Sequence, residues 1–203
     1  DHSLTVANID HACVFTGSAN HLRPRGGQGA QPFLRRFVGT VLVPHGRENP
    51  KLGETRFAVQ DADNIIDVGT GPGLPGIVLA IMNPQKRFTL LDSNGKKTRF
   101  LFQAKTSLSL ENVTIVNDRV EAYHPPEPFD MIVSRAFASL ADMTGWCKHL
   151  RADHGCFLAM KGQYPQQEID DLKGQFEVTQ VTELRIPGVD GERHLLRLLP
   201  VVS

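Results

Sequence analysis

Between Asp67 and Gly76 the chain reads Asp67-Val68-Gly69-Thr70-Gly71-Pro72-Gly73-Leu74-Pro75-Gly76, four glycines in ten residues. An apolar run, Asn64 to Gly69, leads into it, and Leu74 to Met82 follows as a short helical stretch stopped by Asn83-Pro84. Glycine takes positive φ without steric cost and lets a backbone approach a ligand closely. Pro75 suits a first helical turn, where a missing N–H costs little. A buried strand that turns on glycines into a helix commits the chain to an α/β design in which the turn is a binding loop.

The rest of the chain from Asn64 onward keeps that alternation. Arg87 to Asp92 and Asn112 to Val116 read as strands, with a helix between them from Lys96 to Leu110 whose stripe is Phe100, Leu101, Ala104 and Leu108. Phe129 to Ser134 is a fourth strand and Gly155 to Met160 a fifth, with a helix from Leu140 to Leu150 between them. A short helix is expected from Pro165 to Leu172. The β-like segments Phe176 to Ile186 and Arg193 to Leu199, joined by Pro187-Gly188-Val189-Asp190-Gly191, suggest a closing antiparallel pair. Strands separated by helices imply a mostly parallel sheet covered on both faces, with a ligand at the carboxyl ends of the strands.

Two nucleotide patterns fit the glycine turn. Gly71 to Gly76 satisfies G-x-G-x-x-G, with Asp92 at a spacing acceptable for a dinucleotide site. Asp67, Gly69, Gly71 and Gly73 satisfy acidic-x-Gly-x-Gly-x-Gly, the pattern of methyltransferases that use S-adenosylmethionine (SAM). In this second reading Asp67 faces the ligand amine and Asp92 accepts from the ribose hydroxyls. Charge favours it: a dinucleotide brings a pyrophosphate that a neighbouring carboxylate repels, whereas SAM brings an ammonium and a sulfonium.

Composition limits the partners. The 203 residues carry 22 Lys+Arg against 22 Asp+Glu, so the chain is not a globally basic nucleic-acid binder, though a local basic patch remains open. Three widely spaced cysteines, Cys13, Cys147 and Cys156, form no C-x-x-C pair and argue against a disulfide scaffold or zinc knuckle. No metal cluster is expected. The lack of a membrane-length apolar run and of a leader makes a cytoplasmic setting the expectation. Residues 1–60 differ in texture: seven Lys+Arg against four Asp+Glu, with seven Gly and four Pro. Only Pro32 to Val43 reads there as a short element. We therefore expect an atypical basic segment over 1–60, disordered or aberrant, and a methyltransferase domain over 61–203.

Other clusters sit at expected strand ends. Asn117 to Glu121 follows the third strand, where Val120 and Glu121 are placed to bond an adenine edge. An exposed charged helix start explains the same spacing equally well. Ser134-Arg135-Ala136-Phe137-Ala138 follows the fourth strand. Arg135 presents a planar fork suited to a guanine edge, a phosphate or a carboxylate, and a surface salt bridge is the plainer reading. Phe137 is a base-stacking candidate or core. Lys161 and Arg193 add positive charge around the mouth for an RNA substrate, and His194 is as readily a hydrogen-bonded residue as a base. Trp146 is assigned to packing with Met143 and Leu150, and Cys147 and Cys156 to inert core.

Taken in order, Ile66 to Gly76, Leu90-Leu91-Asp92-Ser93, Arg119-Val120-Glu121, Val133 to Ala138, Lys161-Gly162 and Gly191-Glu192-Arg193-His194 closely resemble the bacterial ribosomal small-subunit methyltransferase G family, also called glucose-inhibited division protein B. The likeness runs from about Asn64 to the end of the chain. It implies a Rossmann-like SAM-dependent methyltransferase fold and N7 methylation of one guanine in 16S ribosomal RNA, free or in the small subunit. It also implies SAM contacts at Gly69, Leu74, Val120, Glu121 and Arg135. Asp67, Gly71, Gly73 and Asp92 come from the general fold argument, and Arg135 is the residue placed at the reaction itself. Residues 1–60 lack the family's Trp-Asn…Asn-Leu-Thr and His-x-x-Asp-Ser signatures. Two alternatives stay open: methylation of another RNA or a small molecule, and a SAM-binding protein idled by its first 60 residues.

Overall fold

The computed structural model describes residues 6–9, 12–15, 59–135, 138–172, 174–184 and 191–201. The chain divides into two compact units, Asp1–Gly53 with Ile186–Val189 and Glu54–Arg185 with Asp190–Ser203. In the first, β1 (Val6–Ile9) pairs antiparallel with β2 (Ala12–Phe15), Val6 opposite Phe15. The sequence reading found no element there, because four-residue strands are too short to show a period. Its expectations for Pro32 to Val43 and for Pro187 to Asp190 lie outside the described residues.

The second unit holds a seven-stranded sheet in the order β5-β4-β3-β6-β7-β9-β8. The strands are β3 (Asn64–Val68), β4 (Arg87–Leu91), β5 (Val113–Val116), β6 (Phe129–Arg135), β7 (Arg151–Lys161), β8 (Phe176–Glu183) and β9 (His194–Pro200). The helices are α1 (Gly76–Met82), α2 (Gly95–Ser107), α3 (Leu140–Cys147), which tightens into a 3-10 turn at Lys148–Leu150, and α4 (Gln166–Asp170). The first five strands of the sheet run parallel, and β9 runs antiparallel to both β7 and β8. The closing antiparallel pair is thus present, with β9 inserted between β7 and β8.

Burial explains the parallel part. In β3, residues Ile65 to Val68 are all buried, as expected of a strand covered on both faces. Leu90, Ile132 and Phe157 on neighbouring strands are likewise sealed, and Phe157 meets Phe176 edge-to-face at 5.2 Å. The start of β3 is clamped by Asp130, whose Oδ2 accepts from the amides of Asp63 and Asn64, both at 2.9 Å.

Strand β7 starts four residues earlier than the sequence suggests. Arg151-Ala152-Asp153-His154 does not alternate, yet Arg151 pairs with Phe129 across a register shift. The Arg151 guanidinium organises the irregularity by donating to the carbonyls of Ala152, Asp153 and Gly155 at 2.7, 2.7 and 3.0 Å. Among the described residues no helix is long and apolar enough to cross a membrane.

Candidate active site

The sheet order makes a switch point. From β3 the chain moves outward to β4 and β5, then returns to add β6 on the other side of β3. The carboxyl ends of β3 and β6 therefore diverge into a crevice. The glycine turn follows β3, and Arg135 ends β6, paired with Met160 of β7.

The turn is held by the strand-end acids. Gly69, Gly71 and Gly73 have φ of 63°, 60° and 94°, the left-handed conformation that a side chain would strain. Asp92, just past β4, accepts at Oδ2 from the Gly71 amide at 2.9 Å and at Oδ1 from the Asn94 amide at 2.8 Å. Lys97 lies 3.6 Å from Oδ2. The Asn117 side chain donates to the Asp92 carbonyl at 2.9 Å, and the Asp92 amide donates to Val116 at 3.2 Å. The ends of β4 and β5 are thereby locked to the turn. Pro75 occupies the N-cap of α1 rather than its first turn, after a cis Leu74–Pro75 peptide.

Asp67 is 1 % exposed. Its Oδ2 accepts from the Thr70 hydroxyl at 2.6 Å and the Gly76 amide at 2.8 Å. Its Oδ1 is buried without a hydrogen-bond partner among the described residues. Burial pushes this carboxyl up to about 7, against the pull of the Thr70 and Gly76 hydrogen bonds and of the Arg135 guanidinium. This tempers the charge argument from sequence, which took Asp67 as fully ionised. Near pH 7 both of its forms are populated, and a cationic partner would complete the ionised one.

A cavity of about 440 Å³ opens beside the turn, in the range of small-molecule sites. Of the cofactor-binding residues expected from the sequence, Gly69, Asp92, Val120 and Glu121 line it. Asp67, Gly71, Gly73 and Leu74 do not; they build the turn behind it. Gly73 and Leu74 both donate to the Thr70 carbonyl. Arg135 is exposed at the end of β6 and acts electrostatically on Asp67. Lys161 is ion-paired with Glu168 at 2.7 Å and donates to the Ala138 carbonyl at 2.8 Å. Arg193 is half-buried, with its guanidinium on the Glu192 carbonyl. His194 bonds the Gly162 carbonyl at 2.8 Å and meets Tyr164 edge-on. Phe137 lies outside the described residues. Cys147 and Cys156 are buried thiols, Cys147 pushed up to about 12 by burial and the nearby Glu121.

One assignment from sequence is corrected. Trp146 is 42 % exposed and lines the cavity, whereas Met143 and Cys147 are buried. On a helix Trp146 lies about 60° from Met143 and about 100° from Cys147. It sits at the margin of the apolar stripe, and a spacing count alone places it inside.

A sheet of this order, with a glycine turn at its switch point and an acid closing the next strand, defines a Rossmann-like methyltransferase. Solved structures agree on the fold. N-methyltransferase NodS from Bradyrhizobium japonicum, in complex with S-adenosyl-l-homocysteine, matches at TM-score 0.57 with 13 % identity, covering 77 % of this chain and 90 % of that one. Mitomycin 7-O-methyltransferase MmcR matches at TM-score 0.58 with 14 % identity over 70 % of this chain and 50 % of that one. The chain belongs to the rRNA small subunit methyltransferase G family, whose description matches residues 54–196. The Salmonella arizonae ribosomal RNA small subunit methyltransferase G is 59 % identical over 167 residues, 82 % of this chain and 74 % of that protein. Its counterpart in Alteromonas mediterranea is 56 % identical over 138 residues, 68 % of this chain and 65 % of that protein.

Proposed function

We propose that the chain transfers a methyl group from SAM to N7 of one guanine in 16S ribosomal RNA, in a cytoplasmic setting. The observation that carries the cofactor reading is the Oδ1 of Asp67 behind the glycine turn, buried without a hydrogen-bond partner among the described residues, which suits a ligand bearing an ammonium. The chemistry of the residues at the turn and the strand ends suits SAM. Asp67 would answer the amine, and Gly69, Gly71, Gly73 and Leu74 would let the backbone close on the ligand. Asp92 would take the ribose hydroxyls, and Val120 with Glu121 the adenine edge. When bound, SAM supplies an electrophilic methyl on a sulfonium.

The chain's own part is positioning. Guanine N7 offers an in-plane lone pair and carries no proton, so the reaction needs no general base. Arg135, exposed at the end of β6 over the crevice, would orient the target by its fork on O6, a phosphate or a carboxylate. Arg193 would add charge at the mouth. Lys161 would contribute through the Glu168 pair that fixes it, more as a strut than as a phosphate ligand. N7 lies on the major-groove edge, which the deep, narrow groove of an RNA helix hides, and this favours a looped or locally opened nucleotide.

Tritiated SAM incubated with under-methylated 30S subunits tests the reading. Label recovered as 7-methylguanine is the expected result. Label on another atom, or on another RNA only, would replace the substrate assignment, and no label would leave a binding protein. Arg135→Ala is expected to lose methyl transfer by about 100-fold or more while SAM affinity falls less, as for a group acting on the reacting base.

A further inference from the structure

The cavity has an aromatic wall that the family reading leaves without a role. Trp146 projects from α3 onto the same cavity as Asp92, Val120 and Glu121. Three observations fix the helix that carries it. Ser139 caps the start of α3, its hydroxyl accepting from the Asp142 amide at 3.1 Å. Just past α3, the His149 ring bonds the Tyr123 carbonyl at 3.1 Å, tying the helix end to the loop that carries Glu121. His124 and His149 also meet edge-to-face at 5.5 Å. The helix that carries the indole is therefore fixed beside the loop after β5, and the half-exposed indole lines the cavity they share.

The chemistry of the walls matches one kind of ligand. Asp92 offers an acceptor for hydroxyl donors, Glu121 an acceptor for an amino group, and Trp146 a flat π face. A purine nucleoside presents hydroxyls, an edge amino group and a flat face together. Placing an indole on a base face removes apolar surface of both from water. We propose that Trp146 forms the stacking wall for the adenine of the methyl donor, and so sets the enzyme's preference for an intact nucleoside on that donor. This rests on the SAM reading of the cavity.

The chain contains one Trp, so its fluorescence reports this wall alone. Titration with S-adenosylhomocysteine is expected to quench it saturably, adenosine to quench it at higher concentration, and homocysteine to leave it unchanged. By calorimetry, Trp146→Ala is expected to weaken S-adenosylhomocysteine by about 5- to 150-fold, with Trp146→Phe within about threefold of the parent. In turnover the alanine variant should raise KM for SAM and largely keep kcat. Should the parent bind S-adenosylhomocysteine with its fluorescence unmoved, and Trp146→Ala bind equally well, the stacking role falls and the cofactor site stands. If the parent binds no S-adenosylhomocysteine, both fall. Quenching by guanosine monophosphate on the cofactor-saturated protein, without quenching by S-adenosylhomocysteine, would give the wall to the target base and overturn the assignment.

Discussion

The carboxylate of Asp92 and the backbone amide of Gly71 are joined by a hydrogen bond of 2.9 Å, across 21 residues of sequence. The acid that would hold a ribose is therefore also the strut of the turn that would hold the rest of the ligand. Removing it acts twice. Asp92→Ala is expected to lower S-adenosylhomocysteine affinity by more than tenfold, on the scale of a lost charge-assisted hydrogen bond of about 1.5–3 kcal/mol. Asp92→Asn keeps one acceptor oxygen and should fall between alanine and the parent. Calorimetry on the three proteins checks the order.

The protonation of Asp67 makes cofactor binding pH-dependent. Its carboxyl, raised by burial to about 7, must ionise to receive an ammonium. Binding should therefore release a proton, and affinity should rise about tenfold between pH 5.5 and 7. Stability of the ligand-free protein moves the other way. The folded state keeps a proton that the unfolded chain loses near the ordinary value of 3.8, so this group's contribution falls as pH rises from about 4 to 7. The slope limit is about 1.4 kcal/mol per pH unit. Asp67→Asn should flatten both profiles. A parent affinity that is level from pH 5.5 to 7 would contradict this account.

Two glycine-to-alanine changes should have opposite signs. At Gly76 a methyl would meet Leu90 and come within 2.8 Å of Asp67 Oδ2, inside the hydrogen-bonded turn. Gly76→Ala is expected to cost about 1–3 kcal/mol by overpacking. At Gly145, in the exposed face of α3, a methyl meets nothing within 4 Å. Gly145→Ala is expected to stabilise by about 0.5–1 kcal/mol through helix propensity. Thermal unfolding of both variants is the measurement.

The clamp at the start of β3 should make the fold acid-sensitive. Burial alone would raise Asp130, but the amides of Asn64 and Asp63 and the His154 ring outweigh it and hold this carboxyl below its usual range. A depressed carboxyl stabilises the fold above its unfolded value, and the contribution is lost as pH falls through the folded one. Asp130→Asn is expected to lower the melting temperature at pH 7 and to lose less between pH 5 and 3 than the parent does. Equal acid sensitivity of the two proteins would refute the clamp.

The parallel sheet was legible because Ile65-Ile66, Leu90-Leu91 and Ile132-Val133 are apolar runs ended by turn residues, and two-sided burial writes itself into composition. The glycine turn was legible because positive φ leaves few residues to choose from. What escaped depended on groups distant in sequence. Arg151 to His154 become strand only because one guanidinium gathers three carbonyls there. The inward-facing state of Asp67 and its raised pKa follow from burial, which no motif records. Trp146 was misplaced by a small phase error at the rim of a helix stripe, and the pairing of Lys161 with Glu168 was invisible in a count of local charge.

Because β9 lies between β7 and β8, a chain emerging from the ribosome cannot complete its sheet in the order of synthesis. Strand β8 is made first but has no partner until β9 arrives. Until then the flank of β7 stays an open edge, a template for stray pairing. Vectorial folding should therefore stall at the β6–β7 stage and finish in one late step, so that nascent chains arrested before His194 are the ones a chaperone captures.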